Sequence, residues 1–290
     1  MESPLQVSIR TTSYNPESRL KPTQLECISM SKRIPTSNKK NTKGSFKGWM
    51  ARALKFIRNV FLILIALSIV SVILARFLPV YVTPLMIIRS VESLVEGEMP
   101  KNSKRWVHID DISPNMVQAV VASEDNLFLS HYGFSFKGIT KAYEHNQKGK
   151  KVRGGSTISQ QTAKNVFLFP QRSYIRKGLE AYFTVLIELI WSKERIMEVY
   201  LNVIEMGDGV YGVEAASLEH FGVHASKLSK SQAALIAACL PNPRRFDAGH
   251  PSGYIQRRKS RILNLMRKIG QVDFDKEDTH KKITHKRNRK

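Results

Sequence analysis

Val60 to Ala75 (VFLILIALSIVSVILA) is a run of 16 residues without a charge, and no other feature restricts the fold of this chain so strongly. Phe56-Ile57 before Arg58 and Phe77 to Val82 after Arg76 extend it to about 20 residues, enough for roughly 30 Å of hydrocarbon once both arginines snorkel. A soluble core helix keeps a polar face over four turns. A signal peptide has a shorter apolar region, closer to the N-terminus, and small-residue cleavage signals that Arg76-Phe77-Leu78-Pro79 does not offer. The run reads as an uncleaved membrane anchor over residues 56–82.

Charge gives the anchor a direction. Residues 1–59 hold 12 Lys/Arg against Glu2, Glu17 and Glu26 in a Ser-, Thr-, Asn- and Pro-rich background, so residues 1–55 read as a disordered basic arm. Its last part interleaves Phe46, Trp49, Leu54 and Phe56 with Lys and Arg, a pattern suited to anionic lipid headgroups. The positive-inside rule keeps the arm cytoplasmic and exports everything after the anchor. Cys27 and Cys239 then lie on opposite sides and cannot pair, and Cys239 in AALIAACL reads as a small core residue. The whole chain carries a formal +22, which points to an anionic partner: nucleic acid, an anionic membrane or a phosphorylated substrate.

The exported part is expected to be mainly α-helical. Apolar-periodic stretches recur at 116–129, 156–167, 176–201, 213–221, 230–240 and 255–269, while alternating β patterns are few and short. Residues 271–290 form a second basic tail. The eight histidines are scattered without metal-ligand spacing.

Four motifs carry chemistry. In Glu124-Asp125-Asn126-Leu127-Phe128-Leu129-Ser130-His131-Tyr132-Gly133, a helix would place Glu124, Phe128 and His131 on one face and end at Gly133. A carboxylate among Val120, Val121 and Phe128 should have a raised pKa, suited to general acid/base work; the alternative is a surface acid with a capping histidine. In Arg153-Gly154-Gly155-Ser156-Thr157-Ile158-Ser159-Gln160-Gln161, Thr157 and Gln160 have capping-box spacing, and free amides at the helix start would attract phosphate with Lys164 behind them. The alternative is a plain cap. Around Arg172, Arg176, Lys177 and Glu180, an acid beside three cations opens a helix expected to be buried; it could work on a diphosphate or its bridging metal, or be an ordinary i,i+4 ion pair. Glu188 in that helix reads as a buried structural acid. In Lys193-Glu194-Arg195-Ile196-Met197-Glu198-Val199-Tyr200-Leu201-Asn202, Ile196, Val199 and Tyr200 face inward, and Lys193, Glu194 and Glu198 are placed outward.

EDxxFxxHxG, GGSTISQQ, RKxxE and KxxIxExYLN, in this order over residues 105–265, resemble the signature series of the peptidoglycan glycosyltransferases, glycosyltransferase family 51. The continuation YLNVIEMGDGVYGVEAA resembles the monofunctional biosynthetic branch, with an anchor and one catalytic domain. The resemblance implies a lysozyme-like helical domain over residues 83–270 with a smaller membrane-associated lobe, to which Phe134, Phe136 and Tyr143 among Lys137 and Lys141 could belong. It makes Glu124 the base that deprotonates an incoming sugar 4-hydroxyl. It places Glu180, Arg176 and Lys177 at a lipid diphosphate, and Ser156, Gln160, Gln161, Lys164 and Arg172 among the donor-site contacts. Mg²⁺ or Mn²⁺ is implied as cofactor, reaching Glu180 through the diphosphate. Lipid II, the nascent glycan strand, anionic lipids and cell-wall synthesis or division proteins are the implied partners, at the inner membrane, with nucleic acid excluded. The family's late RRxxVL pattern survives loosely as Arg257-Arg258-Lys259-Ser260-Arg261-Ile262-Leu263, to which no function is assigned. The rivals are a glycan-cleaving lytic enzyme, which needs no diphosphate grip, and a basic scaffold, which leaves the paired acids unexplained.

Overall fold

A computed structural model gives the fold and describes residues 42–135, 155–171 and 173–274, with side chains from residue 48 onward. Arg172, most of the expected second lobe (Phe136, Lys137, Lys141, Tyr143) and the tail from residue 275 lie outside the described residues. The chain divides into residues 1–55 and 56–290.

Helix α1 runs Thr42–Phe77, so it starts inside the arm read as disordered and stops short of residue 82. Trp49 to Arg58 (WMARALKFIR) is rich in good helix formers, and Pro79 disfavours helix at the residue before it. Gly48–Phe77 is long and apolar enough to cross a membrane, with only 11% of its most apolar window buried, whereas the core helix of a soluble protein would be mostly covered. A short link then leads to α2 (Pro84–Val95), capped by the Thr83 side chain.

The last turns of α1 are fastened to the domain. Ser68 and Tyr182 hydroxyls lie 2.8 Å apart, and Trp191 Nε1 donates to the Val72 carbonyl at 2.8 Å. Arg195 Nη2 donates to the Ala75 and Leu78 carbonyls at 2.9 and 2.6 Å, satisfying carbonyls that a helix C-terminus leaves without intrahelical partners. Lys104 donates to the carbonyls of Val80 and Tyr81, and burial pulls its amine down to about 8.

Seven further helices follow among the described residues: α3 (Pro114–Glu124), α4 (Ile158–Phe167), α5 (Tyr174–Ile190), α6 (Lys193–Val203), α7 (Val213–Phe221), α8 (Lys230–Cys239) and α9 (Gly253–Ile269). The expected 176–201 stretch is two helices, because Trp191 is extended and Ser192 caps α6 by accepting from the Arg195 amide. A small sheet of order β1-β3-β2 joins β1 (Ser103–Lys104) in parallel to β3 (Val210–Tyr211), with β2 (Glu205–Gly207) antiparallel to β3. At Gly209, φ is +71° and a Cβ would lie 2.3 Å from the Lys101 carbonyl oxygen, so the turn admits only glycine.

Alanine-rich α8 sits in the core, with Ala233, Ala234, Ile236, Ala237, Ala238 and Cys239 fully buried. Its small side chains let α3 and α9 approach closely, while α4 packs against α5 and α6. Asn202, also fully buried, clamps Val107 by accepting from its amide and donating to its carbonyl, both at 2.9 Å. Helix α3 packs against α8 and α9, and its last residue, Glu124, reaches α4 through Gln161; the site forms there.

Candidate active site

Glu124 is the last residue of α3. The expected single helix through His131 does not form: Asp125 leaves helical geometry (φ −156°, ψ 80°), and Phe128–Ser130 is a separate 3₁₀ turn. The cause is the work Asp125 does. His131 Nε2 lies 3.0 Å from both of its carboxylate oxygens, and its Oδ2 accepts the Ile158 amide at 3.2 Å. Asp125 thus joins this loop to the start of α4. At Gly133, φ is +77° and a Cβ would lie 2.6 Å from Thr184 Cγ2, so only glycine lets the loop pass α5.

Glu124 Oε2 accepts from Gln161 Nε2 at 3.1 Å, and the Arg258 guanidinium stands 4.0 Å from Oε1. Burial raises the Glu124 pKa, Gln161 and Arg258 pull it down, and Asp125 pushes it up. Tyr200 donates to Gln161 Oε1 at 3.4 Å, which turns the amide N–H₂ towards Glu124; burial, then Glu124, holds its phenol well above the ordinary range.

The capping box forms as expected: Thr157 Oγ1 accepts from the Gln160 amide, and Gln160 Oε1 accepts from the Thr157 amide. Of the amides expected to attract phosphate, those of Thr157, Ile158 and Gln160 have partners within the protein. Gln160 is thereby a cap, and Ser156 is exposed ahead of it.

The charged cluster lies on α4 and α5. Glu180, only 3% exposed, accepts from Arg176 at 2.9 Å and from Lys177 at 2.5 Å. Lys164 completes it: burial lowers its pKa, Glu180 opposes that, and Arg176 and Lys177 reinforce it. The cluster sums to three cations and one anion. Gln161 and Lys164, three residues apart on α4, are neighbours on one helix face, so this helix connects the Glu124 carboxylate to the cationic cluster. Arg176 Nε and Arg258 Nε are buried donors without an acceptor among the described residues.

A family model described as Transglycosylase matches residues 92–267. A protein of Bacteroides thetaiotaomicron named biosynthetic peptidoglycan transglycosylase is 54% identical over 80% of this chain and 96% of its own length. Proteins of the same name from Bdellovibrio bacteriovorus and Caulobacter vibrioides are 55% and 52% identical, each over 72% of this chain and 84% and 90% of their own. The chain belongs to the transglycosylase family. The mainly helical, lysozyme-like architecture expected from the motifs stands with it.

Two expectations about this transglycosylase are corrected. Lys193 and Glu198, placed outward, are buried at 3% and 7% exposure. Each has a partner: Lys193 pairs with Glu188 at 2.7 Å and donates to the His131 carbonyl at 2.6 Å, and Arg195 pairs with Glu198. Helical periodicity marks a charged residue as solvent-facing only when the partner helix is apolar, and here it carries Glu188. Helix α5, read as buried, is covered on one side only, with Tyr174, Ile175 and Leu189 at 98%, 79% and 76% exposure. Sequence reasoning also left Arg258 and Tyr200 without a role, although the degenerate RRxxVL and the YLN motif contained them.

Proposed function

We propose that this transglycosylase polymerises lipid II into β-1,4-linked glycan, with Glu124 as general base and the Lys164–Arg176–Lys177–Glu180 cluster at the donor diphosphate. The observation that carries this reading is the half-buried Glu124 carboxylate, held by Gln161 on the same helix α4 that contributes Lys164 to a net-positive cluster. Glu124 takes the proton of the acceptor 4-hydroxyl, and the oxygen attacks the donor's anomeric carbon in line. The bond from that carbon to the diphosphate breaks, undecaprenyl diphosphate leaves with the electron pair, and the α-linkage is inverted to β. Preorganised cations facing the leaving group stabilise the charge that develops there. Ser156 and Arg172 belong to the same donor region on the motif's placement.

Mg²⁺ or Mn²⁺ at the donor diphosphate would be held mainly by the substrate's own oxygens, with Glu180 as the candidate carboxylate. In the structure both Glu180 oxygens accept from Arg176 and Lys177. Lys164, Arg176 and Lys177 supply positive charge to the leaving group in this reading.

The basic arm supports a cytoplasmic N-terminus with the domain on the outer face of the inner membrane, where lipid II, the growing strand, anionic lipids and cell-wall synthesis or division proteins are its expected partners. Incubation of the detergent-solubilised protein with lipid II, and separately with mature glycan strands, tests the reaction. Lengthening of the first supports polymerisation; digestion of the second alone makes the protein a lytic enzyme.

A further inference from the structure

Helix α2 is amphipathic in the opposite sense to a helix packed on a soluble core. Ile87, Val91, Leu94 and Val95, at i, i+4, i+7 and i+8, form one stripe and are 52%, 54%, 62% and 82% exposed. The other face is mixed: Arg89, Ser90 and Ser93 are half-buried beside Met86, and Glu92 is exposed. Arg89, Glu92 and Ser93 line a cavity with Glu205, Asp208 and Arg244, and Ser90 Oγ accepts from Asn102 Nδ2 at 2.6 Å. Met86 is the one residue of α2 that is buried. A helix in water turns its apolar stripe to the protein. This one leaves its apolar stripe uncovered by the protein, which calls for an apolar medium outside it.

The position of α2 identifies that medium. Six residues separate Phe77 from Pro84, a link that spans at most roughly 25 Å when fully extended. The link is itself apolar and exposed at Leu78, Tyr81 and Val82, so the apolar surface continues from the anchor onto α2. No free spacer holds the domain away from the bilayer either, because Tyr182, Trp191 and Arg195 grip the anchor from Ser68 to Leu78.

We propose that α2 is an interfacial helix whose Ile87–Val91–Leu94–Val95 face lies at the boundary between headgroups and acyl chains of the bilayer that α1 crosses. The proposal rests on the reading of α1 as a membrane anchor and is independent of the reaction. The outer stripe carries no cation, so insertion depends on apolar burial and is insensitive to the charge of the lipid. With α1 and α2 both engaged, the membrane holds the domain at two separate helices.

Site-directed fluorescence in vesicles tests this. The full chain with Cys27→Ser keeps Cys239, which is fully buried with its thiol pushed up to about 12 and so stays unlabelled. Single cysteines at Val91 and Leu94 carry a bimane probe, with Leu64→Cys in the anchor and exposed Lys230→Cys as references. Vesicles contain lipids brominated high on the acyl chain, in zwitterionic and in anionic mixtures. The expected result is a roughly twofold loss of emission at 64, 91 and 94 in both mixtures, with little change at 230. Quenching at 64 without quenching at 91 and 94 overturns the proposal and leaves the anchor standing. No quenching at 64 removes the anchor reading and the proposal together. Disulfide cross-linking between copies at 94, without quenching, reassigns the face to a second copy of this chain and equally overturns it.

Discussion

Replacing Lys193 by methionine tests how the loop after Glu124 is held. Lys193 and Glu188 side chains are 2% and 5% exposed and meet at 2.7 Å. The same ammonium donates to the His131 carbonyl and lies 4.6 Å from the centre of the Phe128 ring, so one cation joins α5, α6 and the loop that follows Glu124. Lys193→Met keeps much of the apolar stem and removes the charge, leaving Glu188 buried with Ser159 as its remaining side-chain partner. Breaking one side of a buried ion pair costs about 3–5 kcal/mol. For a domain of this size each kcal/mol moves the midpoint by about 2–4 °C, so the melt should fall by about 6–20 °C. The assay is thermal unfolding of the detergent-solubilised chain at neutral pH, followed by intrinsic tryptophan fluorescence. The double variant Lys193→Met/Glu188→Leu removes both charges and should recover most of the loss, since an apolar pair of similar volume is often neutral or better. A single-variant melt within about 2 °C of the parent would refute the buried-pair argument.

Arg258→Gln removes a cation that pulls the Glu124 pKa down. A base works only when deprotonated, so activity falls as pH drops through that pKa, and the acidic limb of the pH–rate profile should move to higher pH; a limb that stays put or moves lower contradicts the assignment. Gly133→Ala meets both a positive φ and Thr184, and should cost at least about 1–2 kcal/mol in a denaturant melt; an unchanged midpoint would show that the loop can move aside. On the proposed placement of the cationic cluster at the leaving group, polymerisation of lipid II should persist in excess EDTA; complete loss reversed by Mg²⁺ or Mn²⁺ would show that a metal is required.

The parts of this molecule visible in its sequence are those governed by local rules. Thr157 and Gln160 announce a capping box by spacing, Ser192 and Ser229 sit where caps belong, and the helical stretches follow their apolar period. RKxxE brings its own pair together because residues four apart on a helix are neighbours. The rest depends on contacts between distant segments. Nothing near Asp125 tells that it will accept an amide 33 positions away and so end α3 after Glu124. Arg258 reaches Glu124 only because α9 packs against α3, and Lys193 is buried only because Glu188 awaits it. The cavity beside Arg89 and Ser93 of α2 was likewise unreadable, since Glu205, Asp208 and Arg244, which share it, come from more than 100 positions downstream.

The central claim is that Glu124 removes the acceptor proton. Glu124→Gln keeps the shape and can still accept from Gln161, yet cannot take up a proton. Polymerisation and lipid II binding by this variant, measured side by side on protein with a wild-type melt, test the claim most directly. The account predicts loss of strand synthesis, about 10²–10⁴-fold for removal of a general base, with binding retained. Strand synthesis at the wild-type rate would take Glu124 out of the reaction.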